Sequence, residues 1–191
     1  MTMKKEDLRI EKTKKALLRA FFDLIYEKSF EDITINELCL RANIRRATFY
    51  KHFADKYHFL TFTVKSLRMN FDERIRASEI RLTGVDYFKE YAKAVIDFLN
   101  ENPITVKRIL ESELRSTLTD LIIEQNYLDT KAALDTCASN GFSLPAPSET
   151  VAVMLTGGIA HIIIRWLEGG KPKPQDTLTE EITMLIERIL G

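Results

Sequence analysis

The chain has little of what a turn-rich or disulfide-stapled protein needs. Seven glycines and five prolines in 191 residues are too few for the many tight reversals of an all-β architecture. Two cysteines, Cys39 and Cys137, make no disulfide framework and no CxxC pair. Each sits in an apolar helical pattern and reads as a small core residue of a protein in a reducing compartment. No glycine-rich phosphate loop occurs, and no Ser or Cys nucleophile stands with a placed base, so an enzyme is not expected. His52, Asp55 and His58 lie close together, but their spacing straddles a helix break and offers no fourth ligand. Neither a metal nor another cofactor is expected. The N-terminal MTMKKEDLRIEKTKK is charged and lacks the apolar core of a secretory signal. The most apolar stretch, VAVMLTGGIAHIIIRWL at 151–167, falls short of the roughly 20 residues that span a bilayer and carries His161 and Arg165. It reads as a buried helix of a cytoplasmic protein with no membrane partner.

Net charge is absent as well, since 28 Lys and Arg balance 28 Asp and Glu. The balance hides an asymmetry. Residues 1–60 hold 13 basic against 9 acidic residues, and the remainder holds 15 against 19. A basic first third beside an acidic remainder points to a polyanion as partner of the first part alone. Chance scatter of surface charge would give the same split.

What the chain does have is helical periodicity nearly throughout, and the fold class is all-α with about nine helices. In 8–28, Leu17, Ala20, Phe21, Leu24 and Ile25 form one stripe. Thr34-Ile-Asn-Glu37 is a capping box that opens a short helix over 34–41. Asn43 suits a tight turn because it tolerates a left-handed backbone. A second short helix covers 45–52 and a long one 55–80. Gly84 marks a break, and further helices cover 85–100, 104–115, 116–139, 148–168 and 178–190. Asn102-Pro103 reads as an N-cap with proline at the first helical position. Asn140-Gly141 reads as a helix stop, Ser148 as an N-cap, and Thr177-Leu-Thr-Glu180 as a second capping box. The natural domain boundary falls near residue 55, giving domains 1–55 and 56–191.

The stretch RANIRRATFYKHFADK, residues 41–56, carries the chemistry. Helix, short turn, helix over 34–52 has the punctuation of a helix-turn-helix. On a wheel at about 100° per residue, Phe49 and Phe53 share one face and can pack on the first helix. Ala47, Thr48 and Lys51 take the opposite face, Tyr50 and His52 the flanks, and Arg45 and Arg46 start the helix. A face without bulk in its first turn, flanked by donors, suits the DNA major groove. Thr48 and Lys51 can meet base edges; Tyr50 and His52 can donate to phosphates. Thr34, at a helix start with exposed amides, is a further phosphate contact, and Lys56 adds charge. A plain solvated polar face explains each residue singly, but explains the arrangement poorly.

Residues 13–60 resemble the DNA-binding domain of the tetracycline-repressor (TetR) family. The family pattern runs from an apolar first helix through Gly-Phe and Thr-Ile to a turn, then Thr-Leu/Phe-Tyr-x-His/Tyr-Phe, Lys and Leu. Here it is met by Phe30, Thr34, Ile35, Thr48, Phe49, Tyr50, His52, Phe53, Lys56 and Leu60. The resemblance implies that Thr48, Tyr50, His52 and Lys56 contact DNA. Ser29 stands in place of the usual Gly, and Asn43 replaces a turn Gly. Arg45 replaces the usual Ser/Thr N-cap, a loss of about 1 kcal/mol against the gain of a phosphate or guanine donor. The Ile-Arg-Arg-x-Thr-Phe-Tyr form is similar to a branch common in Gram-positive bacteria, some of whose members activate transcription. Repression is the family's default, and activation is the alternative.

Beyond residue 60 the chain is similar to the family only in helix count and punctuation. The resemblance implies a ligand pocket and a dimer interface in the larger C-terminal domain. Aromatic residues offer a pocket of Phe62, Met69, Tyr87, Tyr91, Phe98 and Tyr127 for a small, mostly apolar effector of unknown identity. Core packing explains those residues equally well. For the interface, helix 148–168 offers Val151, Met154, Leu155, Gly158, Ile162 and Trp166, and helix 178–190 offers Ile182, Leu185, Ile186 and Ile189. Paired with their copies they would form a four-helix interface, the alternative being core helices of a monomer. A homodimer also suits the first domain, because two-fold symmetry reads a pseudo-palindromic double-stranded operator. The expectation is a sequence-specific, ligand-modulated transcription regulator. A helical interaction module that no longer binds DNA is the rival.

Overall fold

The computed structural model describes residues 5–77, 84–113 and 115–191, and among them every regular element is an α-helix. In chain order these are α1 (Lys5–Glu27), α2 (Ile35–Arg41), α3 (Arg46–Tyr50), α4 (Lys56–Ala77), α5 (Gly84–Glu101), α6 (Pro103–Glu111), α7 (Arg115–Ser139), α8 (Ser148–Glu168) and α9 (Gln175–Leu190). Gly84 thus opens α5; the break expected beside it falls on residues 78–83, outside the described residues. Asn102 precedes α6 with Pro103 at the first helical position, although the Asn side chain makes no capping bond. Gly141 ends α7 at φ +89°, where glycine has no steric penalty.

Two expected caps fall elsewhere. Pro147, not Ser148, occupies the N-cap of α8, and the Ser148 hydroxyl donates instead to the Asp135 carboxylate. Pro174 likewise precedes α9, so Thr177 and Glu180 lie inside the helix and form no capping box. In both cases a proline, lacking an N–H and fixed in φ, sets the boundary before the polar residue can.

The chain forms two compact units. The first is Met1–Lys65 with Asn102–Leu118, and the second is Ser66–Glu101 with Thr119–Gly191. Compactness therefore divides the chain inside α4 and returns α6 to the first unit, a different partition from the expected 1–55 and 56–191. The reason lies in α6. It packs on α1, Arg108 Nε donates to the Tyr26 carbonyl at 3.2 Å, and Ser112 Oγ donates to Glu31 at 2.6 Å.

In the first unit the whole expected α1 stripe is buried, together with Leu38 and Cys39 of α2, Phe49 of α3, and Phe53, Phe59 and Leu60. The second unit is organised by α5 lying on α9. Ile96, Leu134, Ala152, Leu178, Ile182 and Ile186 are each at most 1% exposed there. Trp166 Nε1 donates to the Lys173 carbonyl at 2.9 Å across the turn between α8 and α9. At 21 residues, as expected from the sequence, α8 is long and apolar enough by length and composition alone to cross a membrane, although its most apolar stretch, 151–167, is shorter. Yet Val151, Ala152, Leu155, Ile163 and Trp166 of this helix belong to the unit's core. Cys39 is buried and Cys137 only half-buried.

The turn between α2 and α3 is a Schellman motif. Ile44 N–H donates to the Cys39 carbonyl at 2.9 Å and Asn43 N–H to the Leu40 carbonyl at 3.1 Å, with Asn43 at φ +52°. A left-handed backbone costs a Cβ-bearing residue about 1 kcal/mol or more, and Asn least. Asn43→Ala should therefore destabilise the chain by about 1 kcal/mol while Asn43→Gly should not, as read from urea unfolding midpoints.

Candidate nucleic-acid interface

The second helix of the motif is only five residues long, too short to persist alone. It is held by one side chain. Phe49 has no exposed surface and meets Phe53 and Phe59 at ring-centroid distances of 5.4 and 5.9 Å. Phe59 in turn contacts Phe21 of α1 at 5.8 Å. His52 and Phe53 N–H both donate to the Phe49 carbonyl at 2.9 Å, so one further turn follows the regular helix. That is why it is shorter than the expected 45–52. Asp55 Oδ1 then accepts from the Tyr57 and His58 amides at 2.9 and 2.8 Å, which starts α4. His58 Nδ1 accepts from Ala54 N–H, so Asp55 and His58 serve as local helix-start partners.

With Phe49 inward, the rest of the helix faces outward. Arg45, Arg46, Ala47, Tyr50 and Lys51 are exposed, while Thr48 and His52 are half-buried. Tyr50 keeps 48% of its surface in solvent and Arg46 lies 5.9 Å from its ring centroid. Arg45 is the N-cap residue, extended at φ −78° and ψ 146°, and its side chain makes no capping bond. Its guanidinium is thus not spent on the helix. The surface combines three exposed cations, two hydroxyls and a small residue in its first turn.

Thr34 and Lys56 differ from their expected roles. The capping box at Thr34 is complete: Glu37 N–H donates to Thr34 Oγ1 at 3.2 Å, and Thr34 N–H and Oγ1 donate to Glu37 Oε2 at 3.0 and 2.7 Å. The Thr34 hydroxyl proton is therefore committed inside the protein. The Lys56 ammonium donates to the carbonyls of Phe30, Glu31 and Ile33 at 3.2, 2.9 and 3.3 Å and lies 4.8 Å from the Phe30 ring centroid. Three donors meet three carbonyls, which leaves none for a phosphate. Lys56 is a clasp on the loop before α2.

Sequence reasoning missed the groups that fix α2 against α1. Arg41 makes a bidentate pair with Glu27 at 2.8 and 2.9 Å, and the Lys28 ammonium pairs with Glu37. The signal was there in principle, as an Arg and a Lys each near a carboxylate of the neighbouring helix, but nothing local reveals a pairing 14 residues apart. Leu40, 79% exposed, was also passed over. It stands two positions after buried Leu38 and so cannot share its inward face.

In the second unit the expected pocket residues divide. Tyr87 and Tyr91 gather around Arg68, and Phe98 joins them through Phe71, whose ring lies 6.0 Å from Tyr91 and 5.7 Å from Phe98. Burial pushes the Tyr91 hydroxyl up to about 12, and burial with donation to Asp72 raises Tyr87 as well. Tyr127 packs at the edge of the main core. Phe62 does not join them, because it packs on Phe53 in the first unit at 5.1 Å, and Met69 is 61% exposed. Of the expected interface residues, Val151, Leu155, Trp166, Ile182 and Ile186 are spent on the chain's own core. A helix can turn only one stripe inward, and these lie on it. Met154, Gly158 and Leu185 are exposed and Ile162 and Ile189 half-buried, with Val153 and Met184 exposed beside them.

Two measurements check this geometry. Lys28 and Thr34 together hold the Glu37 carboxyl down at about 2 from an ordinary 4.5. The ionised form is favoured in the folded chain, so its contribution is present above pH 4.5 and disappears as pH falls toward 2. The thermal-midpoint difference between the native chain and Glu37→Gln should accordingly shrink across that window. Lys56→Met should lower stability by about 1–3 kcal/mol, because three carbonyls lose their donor, and its urea midpoint reads this directly.

Comparison with known proteins places these features in a family. Residues 14–61 match the family "Bacterial regulatory proteins, tetR family". Over 188 residues the chain is 26% identical to the uncharacterized HTH-type transcriptional regulator YxbF of Bacillus subtilis (strain 168). That alignment covers 96% of this chain and 47% of YxbF, so the chain spans about half the length of this relative. A TetR-family transcriptional regulator from Rhodococcus sp. superposes with TM-score 0.71 at 17% identity, covering 95% of this chain and 100% of that one. The regulator FadR from Bacillus subtilis, solved with stearoyl-CoA, superposes with TM-score 0.65 at 17% identity, covering 90% of this chain and 96% of that one. Residues 14–61 thus carry a match to the tetR family's helix-turn-helix domain, and the chain as a whole is similar in fold to solved TetR-family structures.

Proposed function

We propose that the chain binds duplex DNA through α3 as a homodimer, and that a small ligand in the second unit controls its occupancy of an operator. The observation that carries the DNA reading is the outward set Arg45, Arg46, Ala47, Tyr50 and Lys51 on a helix whose only fully buried anchor is Phe49. Lys51 and Thr48 face base edges. Arg45, Arg46, Tyr50 and His52 serve the flanking phosphates, and the α2 amides beside Thr34 add a contact. Lys56 is left out of this set, because its donors are engaged.

Dimerisation is supported by apolar surface left on the last two helices. Val153, Met154, Met184 and Leu185 are each 46–57% exposed. A Cβ placed on Gly157 or Gly158 would meet nothing within 4 Å, which leaves room for a partner helix to approach. Ligand control is supported by the family and by FadR, whose structure contains stearoyl-CoA. In this reading the ligand favours a dimer whose recognition helices are wrongly spaced for successive major grooves, and occupancy of the operator represses transcription.

Selection from a random duplex library at two salt concentrations tests the reading. A pseudo-palindrome should be enriched, with affinity falling steeply as salt rises. Against the selected sequence, Tyr50→Ala and Lys51→Ala should each weaken binding roughly tenfold or more. Met154→Glu with Leu185→Glu should convert dimer to monomer in sedimentation. Wild-type affinity in either α3 variant would remove that residue from the interface.

A further inference from the structure

Among the described residues of the second unit, one buried charge has incomplete hydrogen bonding. Arg68, on α4, is 6% exposed. Its Nη1 donates to Asn126 Oδ1 at 2.8 Å and its Nη2 to the Tyr87 hydroxyl at 3.3 Å. Its guanidinium lies 4.2 Å from the Tyr91 ring centroid. Both tyrosine hydroxyl protons are spent, Tyr87 on Asp72 Oδ1 at 2.6 Å and Tyr91 on Asn126 Oδ1 at 2.8 Å. Arg68 Nε is the exception: it is buried and has no hydrogen-bond partner among the described residues. Asp129 Oδ2 is 3.3 Å away, within ion-pair range, yet does not accept its proton. Buried N–H groups without acceptors are rare, because the cost of stripping water from them is not recovered.

The neighbours define what would complete it. The unmet need is an acceptor, not a donor. Asp129 is the more exposed counter-charge, with 52% of its side chain in solvent, whereas Asp72, whose Oδ2 lies 4.0 Å from the same Nε, also accepts from Tyr87. A ligand carboxylate can take Nε while Asp129 swings into water. A dianionic phosphate would meet two carboxylates with one free donor and is disfavoured. The neighbouring packing is aromatic: Tyr91, over the guanidinium, meets Phe71, and Phe71 meets Phe98. We infer that Arg68 anchors the carboxylate of a small organic acid with an apolar, preferably aromatic, body, and that this acid class supplies the effector. The inference rests on the ligand-controlled reading above and gives it a chemical class.

The test uses the full chain, with phenylacetate as probe and phenylacetamide as its uncharged isostere, in calorimetric titration. Phenylacetate should bind about tenfold more tightly than the amide, the difference expected of a charge-assisted hydrogen bond. Arg68→Met should abolish that preference. Because that variant can fail to fold, Asp129→Asn provides an independent arm. Removal of a half-exposed like charge about 4 Å away should tighten phenylacetate binding about fivefold. Equal affinity for acid and amide, no phenylacetate binding up to about 10 mM, or an Asp129→Asn affinity no tighter than wild type would each overturn the inference. A neutral compound that releases the chain from its selected duplex, where phenylacetate does not, would leave the regulator reading standing and remove the carboxylate. Phenylacetate binding with the Arg68 and Asp129 dependence, in a chain that binds no duplex, would do the reverse.

Discussion

Burial of the Phe49 ring is the interaction on which the rest of the first unit's surface depends. A five-residue helix has almost no stability of its own. Its orientation is borrowed from aromatic packing: Phe49 on Phe53 and Phe59, and Phe59 on Phe21 of α1. Once Phe49 points inward, the helix period leaves no choice about the remainder. Ala47, Tyr50 and Lys51 must point out, and the two arginines before them stand at the open end. The placement of the outward face thus follows from apolar packing on the inward one.

The second constraint is how α2 is held. The Schellman turn at Asn43, the capping box at Thr34 and the pairs Arg41–Glu27 and Lys28–Glu37 fix both ends of a seven-residue helix. Each exposed pair contributes little alone, since water screens it. Their value is geometric, because α3 follows α2 after only a short turn. The Lys56 clasp on the Phe30, Glu31 and Ile33 carbonyls serves the same end from the other side. Lys56 shows how one residue type can stand in a DNA-contact pattern and yet act on the protein's own backbone.

Much of this was legible in the sequence. The α1 stripe, the capping box, the left-handed Asn43 and the inward Phe49 and Phe53 follow from short-range periodicity and turn chemistry, which act within a few residues. What failed was long-range. Nothing local separates the inward stripe of α8 from its outward one when nearly all its residues are apolar, so Val151, Leu155 and Trp166 read as interface and proved to be core. Phe62 and Tyr91 look alike in sequence, yet the boundary inside α4 leaves Phe62 in the first unit and Tyr91 in the second. Arg68 gave no signal, because a lone Arg in a helical pattern reads as solvated and only the tertiary fold buries it.

The central claim is that the outward face of α3 is where this chain meets duplex DNA. Titration of the isotope-labelled chain with its selected duplex, followed through the backbone amide resonances, tests it most directly. The account expects the largest shifts across Arg45–His52 and the α2 amides after Thr34, with the α8 and α9 amides little changed. Shifts confined to other segments, with Arg45–His52 unmoved, would contradict it.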